Sequence, residues 1–291
     1  MCRADREAGY ATLAVLVFAG FLAAVCIGLL QAPRPTLARA ELAIESVQVD
    51  VLLQSGIQFA GFRLFSVGAD ERPSEGGRQL SGGRIAFQAV SEAGRVALNV
   101  AAPEIIEGLV EELGLRSVNA RSFADAVVAL RGEGGEVGQA EPPMADTPPI
   151  VSLGALLGLA GLSEDDLHIL SRHVSVHGED PRIDILSASP EVLGAVPDLG
   201  PGDRERLMRL RQANRSGATD ALDRLVADHG EHLMAGEAEM FRIAVDAVTE
   251  AGTRARAEAV IAAGEGDADS PPFLILAYSR AASDQFGKGG R

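Results

Sequence analysis

Five histidines are the first residues in this chain whose type and spacing could do chemistry. His168, His173 and His177 lie five and four residues apart, and His229 and His232 sit close together beside Asp228. Imidazole binds zinc, but a zinc site needs several ligands at defined spacing and a second layer of groups to orient them. His168 and His173 do not share a helical i, i+4 face. The two cysteines, Cys2 and Cys26, are both far upstream. The histidines therefore read as solvated or internally satisfied side chains, and no metal ligand is assigned.

A second candidate is the stretch from Pro197 to Asp203, PDLGPGD, which reads as the hairpin of a helix–hairpin–helix. Such hairpins can offer backbone N–H groups to a nucleic-acid phosphate. Arg204, Arg206, Arg209, Arg211 and Arg215 follow it. Asp203 and Glu205 stand where the phosphate would lie, no aromatic residue offers a stacking surface, and the chain carries a net charge of −15. A chain this acidic repels free polyanions at long range. A membrane-anchored DNA receptor is thus the alternative reading, and no nucleic-acid partner is expected. Gly200-Pro201-Gly202 is a turn rather than a phosphate cradle. No nucleophile motif or paired-carboxylate arrangement stands out, so enzyme activity has no support.

The elements that would position any site begin with an apolar run. MCRADRE is rich in charge, and Gly9 and Tyr10 follow closely. From Tyr10 to Ala32, 23 residues carry no charge. As a helix they would span about 34 Å, enough for the hydrocarbon core of a bilayer. A secretory signal has a shorter apolar region, so the run reads as a membrane-spanning helix that stays. Arg3 and Arg6 before it match Arg34 and Arg39 after it, which leaves orientation unmarked. Pro33 and Pro35 punctuate the run. Beyond them Leu42, Val49, Leu52, Leu53, Phe59 and Phe62 recur at helical spacing, which predicts an amphipathic helix of about 30 residues.

The rest of the 291 residues is long enough for about two ordinary domains. Residues 66–83 are loop by composition. Arg84–Val90 and Arg95–Asn99 alternate across Ser91-Glu92-Ala93-Gly94, which predicts a β-hairpin. Pro103 and Glu104 then mark a helix start, and ASPEVLGAV repeats that start at 188–196 with Ser189 as cap. Residues 152–173 read as two helices around Gly161, the second capped by Ser163. Strand signals return at Met240–Val248, Thr253–Ala262 and Pro272–Tyr278. The expected fold is α+β: a long N-terminal helix packed on an antiparallel sheet, with a large α-helical domain inserted into it. The expected divisions are a leader 1–9, a membrane helix 10–32, and a helix with the first hairpin at 33–100. The inserted block follows at 101–235, then C-terminal strands at 236–280 and a tail at 281–291.

Gly9-Tyr10 ahead of a long apolar helix resembles the prepilin cleavage signal. The stretch from Ser91 to Asn99 with Ala102-Pro103-Glu104 resembles one characteristic stretch of type II secretion system protein K. Val174–His177 with Ile183-Asp184 and Ala188–Leu193 resembles another. The resemblance spans nearly the whole chain and implies a pilin-like fold and a minor pseudopilin at the tip of a periplasmic pseudopilus. It implies other minor pseudopilins and the major pseudopilin as partners, and anchorage in the bacterial inner membrane with the bulk in the periplasm. It also implies a prepilin peptidase that cuts after Gly9 and methylates Tyr10. The fifth residue from Tyr10 is Ala14, where pilin-like subunits usually carry glutamate; protein K typically lacks it. Members of the family often hold calcium in an Asp-rich loop. The corresponding segment, Gly132–Pro149, offers only Glu133, Glu136, Glu141 and Asp146, so no cofactor or calcium ligand is assigned.

Overall fold

The computed structural model describes residues 4–31, 34–68, 71–132, 150–212, 219–236, 238–264 and 270–280. In chain order, helix α1 (Ala4–Gln31) and helix α2 (Arg34–Phe65) lead into strands β1 (Glu75–Leu80) and β2 (Gly83–Ser91). A short 3-10 turn at Glu92–Gly94 then carries the chain out of the sheet. An inserted block follows, made of β3 (Val96–Ala97), α3 (Pro103–Leu113), α4 (Ala120–Leu130), α5 (Glu164–Leu170) and β4 (Val174–Ser175). Its second half holds β5 (Ile183–Asp184), α6 (Pro190–Gly194), α7 (Pro201–Gln212), α8 (Thr219–Asp228) and β6 (Leu233–Met234). The chain returns to the first sheet through β7 (Met240–Thr249), β8 (Arg254–Ala263) and β9 (Phe273–Arg280). The main sheet is antiparallel throughout, in the order β1-β2-β7-β8-β9. The fold is therefore α+β, with a helical block inserted between the second strand and the third of the five-stranded sheet.

α2 packs on this sheet because its apolar positions fall at helical spacing. Val49, Leu52, Leu53, Ile57, Ala60 and Leu64 are buried against Ile85, Phe87, Ile243, Val245 and Ile261. Period-two alternation along β7 sends its other side chains to the opposite face. The helix comes very close: a Cβ built on Gly56 would lie 2.4 Å from Cγ1 of Val245. Phe62, expected on the buried face, is instead 60% exposed.

The helical block has a separate core around Leu98, Ile105, Leu109, Phe123, Leu156 and Val192. Its two halves repeat one plan. In the first, β3 pairs parallel with β4, with Val96 N donating to His173 O at 2.9 Å and Leu98 N to Ser175 O at 2.9 Å. In the second, β5 pairs parallel with β6, with Ile183 N donating to His232 O at 2.8 Å and Ile185 N to Met234 O at 2.9 Å. A helix with proline in its first turn follows each leading strand, α3 after β3 and α6 after β5. The repeated helix start read from the sequence is one part of this larger duplication.

Two expected elements form differently. The hairpin predicted across 84–99 is replaced by a hairpin of β1 with β2, turning at Ser81-Gly82, and Val96-Ala97 joins the block. The stretch read as loop contains β1, EGGRQL. Its glycines permit close approach: a Cβ on Gly76 would meet the Phe87 ring at 2.6 Å. Of the two helices expected around Gly161, only α5 is an α-helix; residues 153–161 form two 3-10 turns. Gly158 and Gly161, at φ 79° and 91°, and Ala160 at φ 50° break any regular helix there.

The sheet and the block meet at a buried charge. Glu92 is 2% exposed, and its Oε1 accepts from Nε of Arg242 on β7 at 2.7 Å. Nε of Arg95 lies 3.4 Å from the same oxygen, and Nη1 of Arg95 donates to Ser171 O at 3.0 Å. Glu92 lies in the stretch read as a plain turn, and nothing local in the sequence marks it as a joint.

Candidate assembly surface

α1 presents apolar side chains on every side. Leu13, Leu16, Val17, Phe18, Phe21 and Val25 are between 42% and 71% exposed. Ala14 is exposed among them, and the described side chains of α1, Leu13 to Ile27, include no carboxylate. Among the described residues no helix is long and apolar enough to cross a membrane. Of the apolar run from Tyr10 to Ala32, the described side chains are those from Leu13 to Ile27. Gly9 and Tyr10 lie in α1, but their side chains fall outside the described set. So do Glu133, Glu136, Glu141, Asp146 and Arg215.

α2 carries exposed apolar side chains as well. Ile44, Val47 and Val51 are 59%, 63% and 55% exposed, at i, i+3 and i+7 on the face turned away from the sheet. Farther along, exposed Gln54 and Gln58 replace them. Sequence periodicity alone assigned α2 one apolar face; these residues make a second, narrower one. A side chain exposed this far loses the benefit of burial, about 2 kcal/mol for a valine or isoleucine, unless a partner covers it. Contiguous exposed apolar surface marks contact with protein or lipid.

The hairpin before α7 has part of its hydrogen-bonding capacity already used. Backbone N–H groups of Asp203 and Arg204 both donate to Gly200 O at 3.1 Å. Arg204 faces Glu112 at 3.4 Å, and Arg209 faces Glu205 at 3.0 Å. Arg211 turns inward and donates to Ala188 O at 2.6 Å. Only Arg206, of the arginines on α7, is left exposed without an ion-pair partner among the described residues. Arg204 and Arg211 thus hold α7 against the block, while the Arg209–Glu205 pair lies within α7 itself.

The histidines do not converge. No group of three His, Cys, Asp or Glu side chains among the described residues could hold a metal. His168 is exposed and lies 3.1 Å from Nη2 of Arg172. His173 and His232 occupy matching places in the duplicated plan, each giving a backbone carbonyl to the neighbouring strand. Nδ1 of His173 lies 3.1 Å from Oγ of Ser189, the cap of α6. Burial pushes the His173 imidazole below its ordinary value of 6.5, partly offset by Glu191. Burial lowers His177 from 6.5 as well, against a smaller opposing pull from Glu92.

These shifts set a direction. The folded chain resists protonation of His173 and His177, while the unfolded chain takes up protons near the ordinary value of 6.5. Their contribution is therefore whole above that pH and is lost as pH falls toward the folded values. Melting should occur at lower temperature at pH 5.5 than at pH 7.5. The difference should shrink in a His173→Gln, His177→Gln double variant. An unchanged pH dependence in that variant would contradict the assignment.

No protein-family model matches the chain, and no curated protein matches it. Among solved structures, it is similar to a chain of the GspK-GspI-GspJ complex from the type 2 secretion system of enterotoxigenic Escherichia coli. The TM-score is 0.50 and the identity 13%, over 86% of this chain and 99% of that one. At that identity the similarity is one of fold: a pseudopilin-like helix and sheet.

Proposed function

We propose that this chain is a minor pseudopilin of a type II secretion system. It acts in assembly, capping or initiating a short periplasmic pseudopilus that helps drive folded proteins through an outer-membrane channel. The observation that carries this reading is the bare apolar α1 running into α2, whose opposite face is clamped on a five-stranded sheet. Such a helix is built to be shared: with lipid before assembly, and with neighbouring helices of the major and minor pseudopilins afterwards. The pseudopilin-like fold supports the reading. In this reading the run from Tyr10 to Ala32 anchors the chain in the bacterial inner membrane, and the remainder stands in the periplasm.

Two features support a position at the filament tip. Ala14 offers no carboxylate to the N-terminal amine of a subunit stacked above it, and an unpaired charge in an apolar filament core is costly. The helical block is also bulky beside the sheet and would crowd an overlying subunit. The alternative, a DNA receptor, is weakened at the α7 hairpin, where the N–H groups of Asp203 and Arg204 are bonded to Gly200 O and three of the four arginines on α7 are engaged.

The test is the N-terminus of the mature protein, produced with and without prepilin peptidase. With the peptidase, the chain should begin at a methylated Tyr10. Gly9→Val should leave the leader attached, because a branched side chain crowds the cut, and secretion should fall with it. Cys2 still present on the wild-type protein in peptidase-positive cells would defeat the proposal.

A further inference from the structure

The joint between sheet and block contains a carboxylate that is only half used. Oε1 of Glu92 takes both guanidinium contacts, while Oε2 is buried and has no hydrogen-bond partner among the described residues. Leaving such an oxygen unpaired costs about 1–3 kcal/mol, more for a charged group. Glu92 lines a cleft of about 680 Å³ between the start of β7, at Glu239 and Met240, and the segment 178–182 of the block. That volume is the size of an organic group rather than of a bare ion.

The lining of the cleft is negative on balance. Glu92, Glu179, Asp180 and Glu239 line it, against Arg95 and Arg182, a balance of four carboxylates to two guanidinium groups. Arg182 is already held by both oxygens of Asp180, at 3.0 and 2.7 Å, and Arg95 by Glu92 and Ser171 O. Arg242, just outside, is shared between Glu92 Oε1 at 2.7 Å and Glu258 at 4.0 Å. Met234 and Met240 supply the apolar part of the lining. A methionine wall suits the alkyl stem of a long side chain whose charged head lies deeper.

We propose that this cleft receives one cationic side chain, a lysine or arginine, from a partner protein, with Glu92 Oε2 as its acceptor. The ammonium or guanidinium donates to the free oxygen, and the rim carboxylates draw it in. Charge-assisted bonds of this kind are about twice as strong as neutral ones. The rim contribution should weaken with added salt, and the buried contact much less. The proposal does not depend on where the chain is placed in the cell or on its leader being cut, so its failure would leave the pseudopilin reading standing.

The test uses the full-length chain in detergent micelles, with its methionine methyl groups labelled with carbon-13. The probe is N-acetyl-Gly-Arg-Gly-amide, and N-acetyl-Gly-Gln-Gly-amide is the neutral control. The methyl resonances of Met234 and Met240 should shift saturably with the arginine peptide, with Kd on the order of 1 mM, and Met208 should not move. Glu92→Gln should weaken binding about tenfold. Because that variant also loosens the Arg95 and Arg242 contacts, a Glu179→Gln, Glu239→Gln rim variant is the second arm. It should weaken binding about threefold and flatten the salt dependence, with the fold unchanged. No shift of either methyl up to about 20 mM peptide would overturn the proposal. So would an equal response to the glutamine peptide, or wild-type affinity in both variants.

Discussion

Replacing Asn99 with leucine should unfold the inserted block well before the main sheet. The Asn99 amide is a three-way staple. Its Nδ2 donates to Ile150 O at 3.0 Å and to Val176 O at 2.8 Å, and its Oδ1 accepts from Ile150 N at 3.1 Å. It joins the end of the first leading strand to Val176, just past β4, and to Ile150, which is fully buried. Leucine fills similar volume but leaves an N–H and two carbonyls without these partners. Such orphans cost about 1–3 kcal/mol each, and the site is part-exposed, so a loss of about 3 kcal/mol is expected. That is a large share of the stability of an ordinary domain.

The block and the sheet have separate buried cores, so the loss should stay local. Amide hydrogen exchange reads this directly. Protection should fall at Val96 and Leu98 and hold at Ile243 and Val245. Asn99→Asp is the sharper control, since a carboxylate keeps the acceptor and cannot donate to either carbonyl. It should be at least as damaging at pH 7. Equal protection in wild type and both variants would show that the staple is not what holds Ile150 and Val176 together.

Gly94→Ala should be the other severe substitution, for a steric reason. Gly94 is buried at the joint, and a Cβ there would lie 2.4 Å from the Ser187 carbonyl carbon, 2.5 Å from Ala188 N and 2.6 Å from Ser187 O. These are backbone atoms, and they are fixed. Ala188 N donates to Asp184 O at 3.0 Å, Ser187 Oγ donates to the buried Asp184 carboxylate at 2.5 Å, and Arg211 donates to Ala188 O. The segment cannot retreat without breaking these bonds. The added methyl must then part the joint from the second half of the block, at a cost of about 3 kcal/mol. Gly154→Ala is the control, because its nearest atom would be Ser152 Oγ at an unstrained 3.7 Å. The melting temperature of Gly94→Ala should drop by several degrees while that of Gly154→Ala stays within about one. Comparable melting of the two would refute the steric account.

Both predictions concern residues whose neighbours were hidden in the sequence. In the sequence Asn99 reads as the end of a strand and Gly94 as part of a hairpin turn. Nothing within several residues of either says that Ile150, Val176 or Ser187 will lie against it. Glu92 was read as part of a hairpin turn, and its acceptor role appears only once β7 brings Arg242 alongside. The matching places of His173 and His232 likewise emerge from strand pairing, not from their spacing.

Local patterns, by contrast, were legible. An unbroken apolar run, a proline-led start at Pro103, caps at Ser163 and Ser189, and alternation along Met240–Thr249 each depend on residues a turn or a pleat apart. Side-chain sterics and end-group hydrogen bonds act over that range, so the sequence by itself determined α1, α2, α3, α5, α6 and β7 to β9. Tertiary structure alone decided which strand pairs with which. EGGRQL has no strand pattern of its own and becomes β1 because β2 lies beside it. Val96-Ala97, short and apolar, could have paired on either side, and pairs with β4 because the turn at Glu92–Gly94 directs it into the block. A strand's hydrogen bonds are made to backbone that is distant in sequence, and backbone groups are the same in every residue. Their partners are chosen by what the packed cores bring together, and not by any local run of side chains.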